Sequence, residues 1–272
     1  MRLDELPLSF NCEEGIFFDV GANLGHVCIP LSLRYRQLKV YAFEPVPELF
    51  SKLAADLRKY SIETCLPVNR IVCDESGFTR ISYSLADNFI GAGTIEPDLA
   101  NKDRLGSDFL TALVECESLD SFCTRMNLFP DIIKIDVEGA ESKVIFGGVN
   151  LIKERSPIIY AECGFGVSSS SDASRLSYLT ILEESGYDLF LADLSMVNGK
   201  WMKHPWISSR FRCAVSGDVL SNFKLGRCMC LGNLLCVPRI LTSIYVKDRH
   251  ILQLSDLLRS LQTHGGGRES TT

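Results

Sequence analysis

Phe17–His26 reads FFDVGANLGH: an apolar run enters a turn with two glycines, Gly21 and Gly25, and an apolar segment follows. Glycines let a backbone pass close to a ligand. A helix that starts there offers free N–H groups to an anionic group such as a carboxylate. The order G-A-N-L-G lacks the G-x-G-x-x-G of a dinucleotide turn and the G-K-[ST] of a phosphate loop. Strand–glycine turns also arise for purely structural reasons, so this turn needs support from elsewhere.

Glu44 supplies it. This residue ends the next apolar run, in FEP, 23 residues after Gly21. An acid near that separation holds ribose hydroxyls in nucleotide-binding α/β folds, because a carboxylate accepts from both hydroxyls. The plainer reading is an exposed strand-end acid. With the glycine order, the expectation is a nucleoside without a pyrophosphate, which points to S-adenosylmethionine.

The third stretch is KIDVEGAE, Lys134–Glu141. Asp136 falls at the carboxyl end of a strand, where it could face the amino group of a ligand or a substrate hydroxyl. Glu138 falls in the turn that follows. Glu141 lies in a first helical turn, where a carboxylate complements the helix dipole. Lys134 either pairs with a crevice carboxylate or snorkels from the sheet. Asp136, Glu138 and Glu162 form the one acidic set that could hold a magnesium ion and orient a diol. Nothing in the sequence requires a metal there.

These residues need a scaffold. The spacing predicts strands over 15–20, 39–43, 64–73, 112–119, 131–137, 156–163, 187–192 and 233–237. It predicts helices over 25–36, 47–60, 119–126, 140–154, 172–186 and 250–262. The helix from Pro47 is well marked: Leu49, Leu53 and Leu57 recur every fourth residue, and Pro47 suits a first turn. Asp172 suits an N-cap and Gly186 a C-terminal stop. Alternation in FTRISYSL, 78–85, suggests a hairpin partner. Ala86–Ser107 has no period and reads as a functional loop. Strands alternating with helices imply a mostly parallel sheet covered on both faces, with the strands near Tyr187 and Leu235 as an antiparallel edge.

The 272 residues are 46% hydrophobic and 23% charged, ordinary for a globular protein. A net charge of −6 argues against a broad nucleic-acid-binding face. Cys28, Cys65, Cys73, Cys163 and Cys236 sit in apolar runs, the usage of buried thiols in a reducing compartment. Cys228 and Cys230, near Cys213 and Cys236, are spaced C-x-C, which is not the usual zinc frame. MRLDELPLSFNCEE lacks the apolar core of a signal peptide, and no run is long enough to span a bilayer. The expectation is a cytoplasmic protein without membrane or nucleic-acid partners. Residues 1–263 read as one domain and 264–272 as a disordered, Gly-rich tail.

DVGANLGH, YAFEPVPELFSKL, VNRIVCDESG, ESLDSF and IIKIDVEGAESKVIFGG come in an order and spacing that resemble the FkbM-type methyltransferases, over roughly residues 16–163, with an echo at GNLLCVP. The resemblance implies a Rossmann-like class I methyltransferase fold: α/β, with a mostly parallel central sheet and helices on both faces. It implies S-adenosyl-L-methionine as cofactor and methyl transfer to a hydroxyl of a sugar or natural product. By position, Asp19, Gly21, Asn23 and Gly25 would shape the methionine end of the cofactor site. Glu44 would hold the ribose, and Asn69 to Ile71 would lie near the adenine. Asp136 would border both cofactor and acceptor, and Asp136 or Glu138 would take the acceptor proton, with His26 in reserve. Trp201 and Trp206 would either form an acceptor-binding lip or plug the core edge. Two other readings stand beside this one: a catalytically inactive Rossmann-like binding protein, and an NAD-dependent oxidoreductase.

Overall fold

The computed structural model describes residues 15–86, 93–95, 105, 108–164, 169–192, 195–197, 200–202 and 228–239. Continuous apolar runs make its central strands. β1 (Ile16–Val20), β2 (Lys39–Phe43), β3 (Cys65–Val68), β7 (Ile132–Ile135) and β8 (Ile158–Gly164) pair in parallel in the order β3-β2-β1-β7-β8. Strands of this kind are buried on both faces, so they need no polar alternation. β12 (Cys228–Pro238) then pairs antiparallel with β8 and with β9 (Tyr187–Ala192). β10 (Ser195–Val197) and β11 (Lys200–Met202) extend that side.

The period of two along each strand divides the core. Phe17, Val40, Ala42 and Ile132 pack with Cys28 and Leu31 of α1 (Cys28–Arg34) and with Leu53 and Leu57 of α2 (Pro47–Lys59). Phe18, Phe43, Ile133 and Ile135 face the other way. There they meet α3 (Leu119–Met126), α4 (Glu141–Phe146), α5 (Val149–Arg155) and α6 (Ser169–Glu184). Phe122 of α3 stacks edge-on against Phe18 and Phe43, with centroids 5.6 and 4.9 Å apart. Helices thus cover both faces. The chain leaves β1 for β2 on one side and returns to β7 on the other. In open α/β sheets such a switch point opens a crevice at the strand ends.

A second sheet, β4 (Ile71–Val72), β5 (Gly77–Tyr83) and β6 (Leu110–Glu117), has the order β4-β6-β5. Its apolar face closes a third core cluster with Val46 and Leu49.

Several boundaries differ from the sequence reading. The helix expected from Gly25 starts at Cys28, because Gly21–Val27 is spent on the turn; Pro30 then falls in the first helical turn, where its missing N–H costs nothing. The strand expected over 64–73 breaks at Asn69–Arg70, and its halves join different sheets. The partner of β5 is β6, farther along the chain, and not the preceding strand. The expected antiparallel edge does form, with β12 pairing β8 and β9 pairing β12 beyond it. Asp172 lies inside α6, which starts at Ser169, and so is no N-cap. Gly186, with φ of +89°, does follow the helix end. The helix expected over 140–154 is two helices, broken at Gly147–Gly148. A Cβ on Gly147 would lie 2.0 Å from the Cys73 carbonyl oxygen, so the segment must approach as bare backbone. The second piece, α5, is capped from a distance: Asp120 of α3 accepts from the Asn150 and Leu151 N–H groups at 3.1 and 2.8 Å.

Cys28, Cys65, Cys73, Cys116, Cys123 and Cys236 are free and buried. Residues 250–262 and 264–272, Trp206, Cys213 and most of Ala86–Ser107 lie outside the described residues, as do the side chains of Trp201, Cys163, Cys228 and Cys230. Among the described residues, no helix is long and apolar enough to cross a membrane.

Gly147→Ala is expected to cost about 3 kcal/mol, because the added Cβ would push the turn between α4 and α5 away from the backbone that follows β4. Denaturant unfolding of the two chains measures it.

Candidate active site

The glycine turn is built from left-handed backbone. Gly21, Asn23 and Gly25 have φ of +78°, +51° and +82°. The N–H groups of Gly21 and Ala22 both donate to the Phe43 carbonyl, at 3.0 and 2.9 Å, which ties the end of β1 to the end of β2. A Cβ on Gly21 would fall 1.9 Å from the Asp136 carbonyl oxygen. No side chain fits there, and the turn presses directly on the strand end that carries Asp136.

Glu44 is 4% exposed and closes the turn from the other side. Its Oε2 accepts from the Asn23 N–H at 2.7 Å and its Oε1 from the Val46 N–H at 2.9 Å. Burial pushes its carboxyl up to about 7, against the pull of those two N–H groups. Asn69 holds the neighbouring loop: its Nδ2 donates to the carbonyls of Glu44 and Pro45, at 2.8 and 3.1 Å.

Lys134 is buried beneath the turn. Its Nζ donates to the Gly21 carbonyl at 2.7 Å and lies 3.1 Å from Asp19 Oδ1 and 3.4 Å from Asp136 Oδ2. Of the two sequence readings for this residue, the structure selects pairing. Burial alone would lower the ammonium, but Asp19 and Asp136 outweigh it and hold it above its ordinary value. For fully buried Asp19, burial raises the carboxyl and Lys134 opposes the rise.

The far end of the crevice is acidic. Glu138 takes a left-handed φ of +56°, and Gly139 follows at +105°. Glu141 turns back from α4 and accepts from the N–H groups of Gly139 and Val137, at 3.1 and 3.4 Å. It therefore ties the turn as well as lying at a helix start. Carboxylate oxygens of Asp136, Glu138 and Glu162 all lie within 4.8 Å of one another, so the acidic set named from the sequence does assemble. Glu162, at the end of β8, is pushed up to about 8 by burial and then by its acidic neighbours, Asp136 first.

Gly21, Asn23, Glu44, Ile71, Asp136 and Glu138 line one crevice, and so does exposed His26. Asp19, Gly25 and Asn69 stand behind that wall. The second sheet extends the apolar lining beyond Ile71: Val72, Ile81 and Tyr83 also line the crevice, and Ile71, Ile81 and Tyr83 pack with Val46 and Leu49. Thr94 spans the gap between the two sheets. It bridges to Ser82, and its hydroxyl donates to the Glu138 carbonyl at 3.3 Å. Arg70 also lines the crevice, and Glu115 and Glu117 hold its guanidinium. Alternation in the sequence marked these strands but not their partners, and the wall exists only through that pairing.

The strand order, the switch point and the crevice define a Rossmann-like class I methyltransferase fold. The chain belongs to the FkbM methyltransferase family: the Methyltransferase FkbM domain matches residues 19–189. It is similar to the hexuronic acid methyltransferase AglP of Haloferax volcanii, with 28% identity over 149 residues, 54% of this chain and 55% of that protein. The chain thus spans about half the length of the curated relative it matches. Among solved structures it is similar to an FkbM methyltransferase from Methylobacillus flagellatus KT, at 16% identity and a TM-score of 0.48, over 82% of this chain and 44% of that one. It is also similar to a precorrin-6y C5,15-methyltransferase from Geobacter metallireducens GS-15, at 13% identity and a TM-score of 0.40, over 82% and 80% of the two chains.

Glu44 and Glu162 set a sign for stability. Unfolded, Glu44 and Glu162 lose their protons near pH 4.5; folded, they keep them to about 7 and about 8. Between those limits the native chain holds more protons than the unfolded chain, so stability falls as pH rises. The melting temperature of the ligand-free protein is expected to drop steadily from pH 5 to pH 8. Glu162→Gln should flatten the part of that slope above pH 7. A melting temperature that rises over this range would contradict the assignment.

Proposed function

We propose that the chain is an S-adenosylmethionine-dependent methyltransferase that methylates a hydroxyl of a small molecule or glycan, within a single domain over residues 1–263. The observation that carries this reading is the placement of Glu44 and the Asp136–Glu138 pair on one crevice, joined by the glycine turn. The residues present suit that cofactor. Each Glu44 oxygen accepts one backbone N–H and keeps capacity for a ribose hydroxyl. Ile71, Val72 and Ile81 offer an apolar wall for a flat base. The acidic end suits a cationic group. When bound, S-adenosylmethionine supplies an electrophilic methyl group.

Gly21 and Asn23 bring backbone close to the methionine end, with Asp19 and Gly25 shaping the turn from behind. Asn69 fixes the loop that precedes Ile71 at the adenine end. Asp136 or Glu138 takes the proton of the acceptor hydroxyl as its oxygen gains the methyl group. Alignment of that oxygen supplies much of the rate. The hexuronic acid acceptor in the name of the Haloferax volcanii relative supports a sugar-like acceptor here.

Calorimetric titration with S-adenosylmethionine, its demethylated product and NAD tests the reading. The first two are expected to bind, and Glu44→Ala to weaken both about 10- to 100-fold, the loss of a charge-assisted hydrogen bond. NAD binding alone would point to an oxidoreductase, and no binding to a non-catalytic relative. In turnover with hydroxylated acceptors, Asp136→Asn should cut the rate at least about 100-fold with cofactor affinity modestly changed. A near-wild-type rate would remove Asp136 as the proton acceptor.

A further inference from the structure

Among the described residues that line the crevice, the lysine and arginine side chains are Arg70 and Lys134. Glu115 and Glu117 engage the first. Lys134 is 5% exposed, and a lysine is rarely so buried unless it is paired. Stability does not explain its presence, because apolar side chains of similar volume often replace a buried ion pair without loss. What an apolar side chain would not reproduce is geometry. An ammonium has three donors. Three oxygens surround this one: the Gly21 carbonyl, Asp19 Oδ1 and Asp136 Oδ2.

Those oxygens belong to different parts of the site. Gly21 belongs to the glycine turn, and Asp136 to the acidic end. Their backbones already touch, and the Asp136 N–H donates to the Val20 carbonyl at 3.1 Å. The Asp136 side chain is 47% exposed, so packing does not fix it. Lys134 is on β7, and Asp136 is the first residue past that strand, with its carboxylate 3.4 Å from the Lys134 ammonium. We propose that Lys134 is a positioning residue that joins the glycine turn and the Asp136 carboxylate into one rigid unit, so that the cofactor-binding and proton-accepting parts share an anchor. The proton-accepting half rests on the role of Asp136 given above.

Lys134→Met leaves Asp19 buried without its cation and risks unfolding. The decisive variant is therefore Asp19→Asn/Lys134→Met, compared with Asp19→Asn and with Lys134→Met where that folds. Amide hydrogen exchange in the ligand-free proteins reads the anchor directly. The amides of Gly21, Ala22, Asn23 and Asp136 are expected to exchange about 10- to 100-fold faster once Lys134 is lost, the effect of one charge-assisted hydrogen bond. Amides of β5 and β6 should keep their rates. Unchanged exchange at the four amides would overturn the proposal. S-adenosylmethionine affinity should fall by a similar factor. Combining Asp136→Asn with the loss of Lys134 should cost much less turnover than the product of the separate losses. Multiplying losses would show that Lys134 does not act through Asp136. If the wild-type chain binds no S-adenosylmethionine, the proposed function fails, and hydrogen exchange still decides the anchor.

Discussion

Taking an ammonium and a carboxylate out of water costs several kcal/mol for each ion, and only close, well-placed partners offset that cost. Lys134 and Asp19 bear this cost together in the middle of the central sheet, 3.1 Å apart. The rest of the crevice is arranged around them. Asp19 is on β1 and Lys134 on β7, opposite each other in register, so the pair spans the strands that flank the switch point. The turn that follows β1 can then hang its first carbonyl on the same ammonium. Removing Lys134 leaves the fully buried Asp19 carboxyl without its cation.

The two walls of the crevice differ in kind. One is made of strand ends and tight turns held by backbone hydrogen bonds, with φ values that glycine and asparagine tolerate. The other is a separate three-stranded sheet packed through apolar side chains. Hydrogen bonds of fixed length make the first wall stiff. The second wall rests on dispersion and burial, where even a small gap forfeits contact energy. Thr94 joins the two with a hydroxyl bond to the Glu138 carbonyl.

Much of this frame was legible before any coordinates. β2, α3 and β9 match their expected bounds. Of the residues named from the sequence, Gly21, Asn23, Glu44, Asp136 and Glu138 converge on one crevice because they follow strand ends on one side of a parallel sheet, and Ile71 joins them from the second sheet. What stayed hidden depends on partners distant in sequence. Gly147 looked like an ordinary residue within a helix; the carbonyl that forbids it a side chain belongs to Cys73. The cap of α5 comes from Asp120, 30 residues away. Lys134 had two readings because a period of two gives a face and says nothing of what lies beneath it.

The position of β12 also orders events in time. A ribosome delivers β8 first, then β9, and β12 only after dozens of further residues. Yet β12 is the strand that joins the other two. Until it arrives, one edge of β8 stays open, with backbone donors and acceptors that any extended chain can satisfy. Strand β9 meanwhile has no place in the sheet beside β8. The nascent protein therefore passes through an interval in which the parallel half can close around its crevice while the neighbouring edge remains adhesive. A ribosome that stalls before Cys228 would release that edge uncovered.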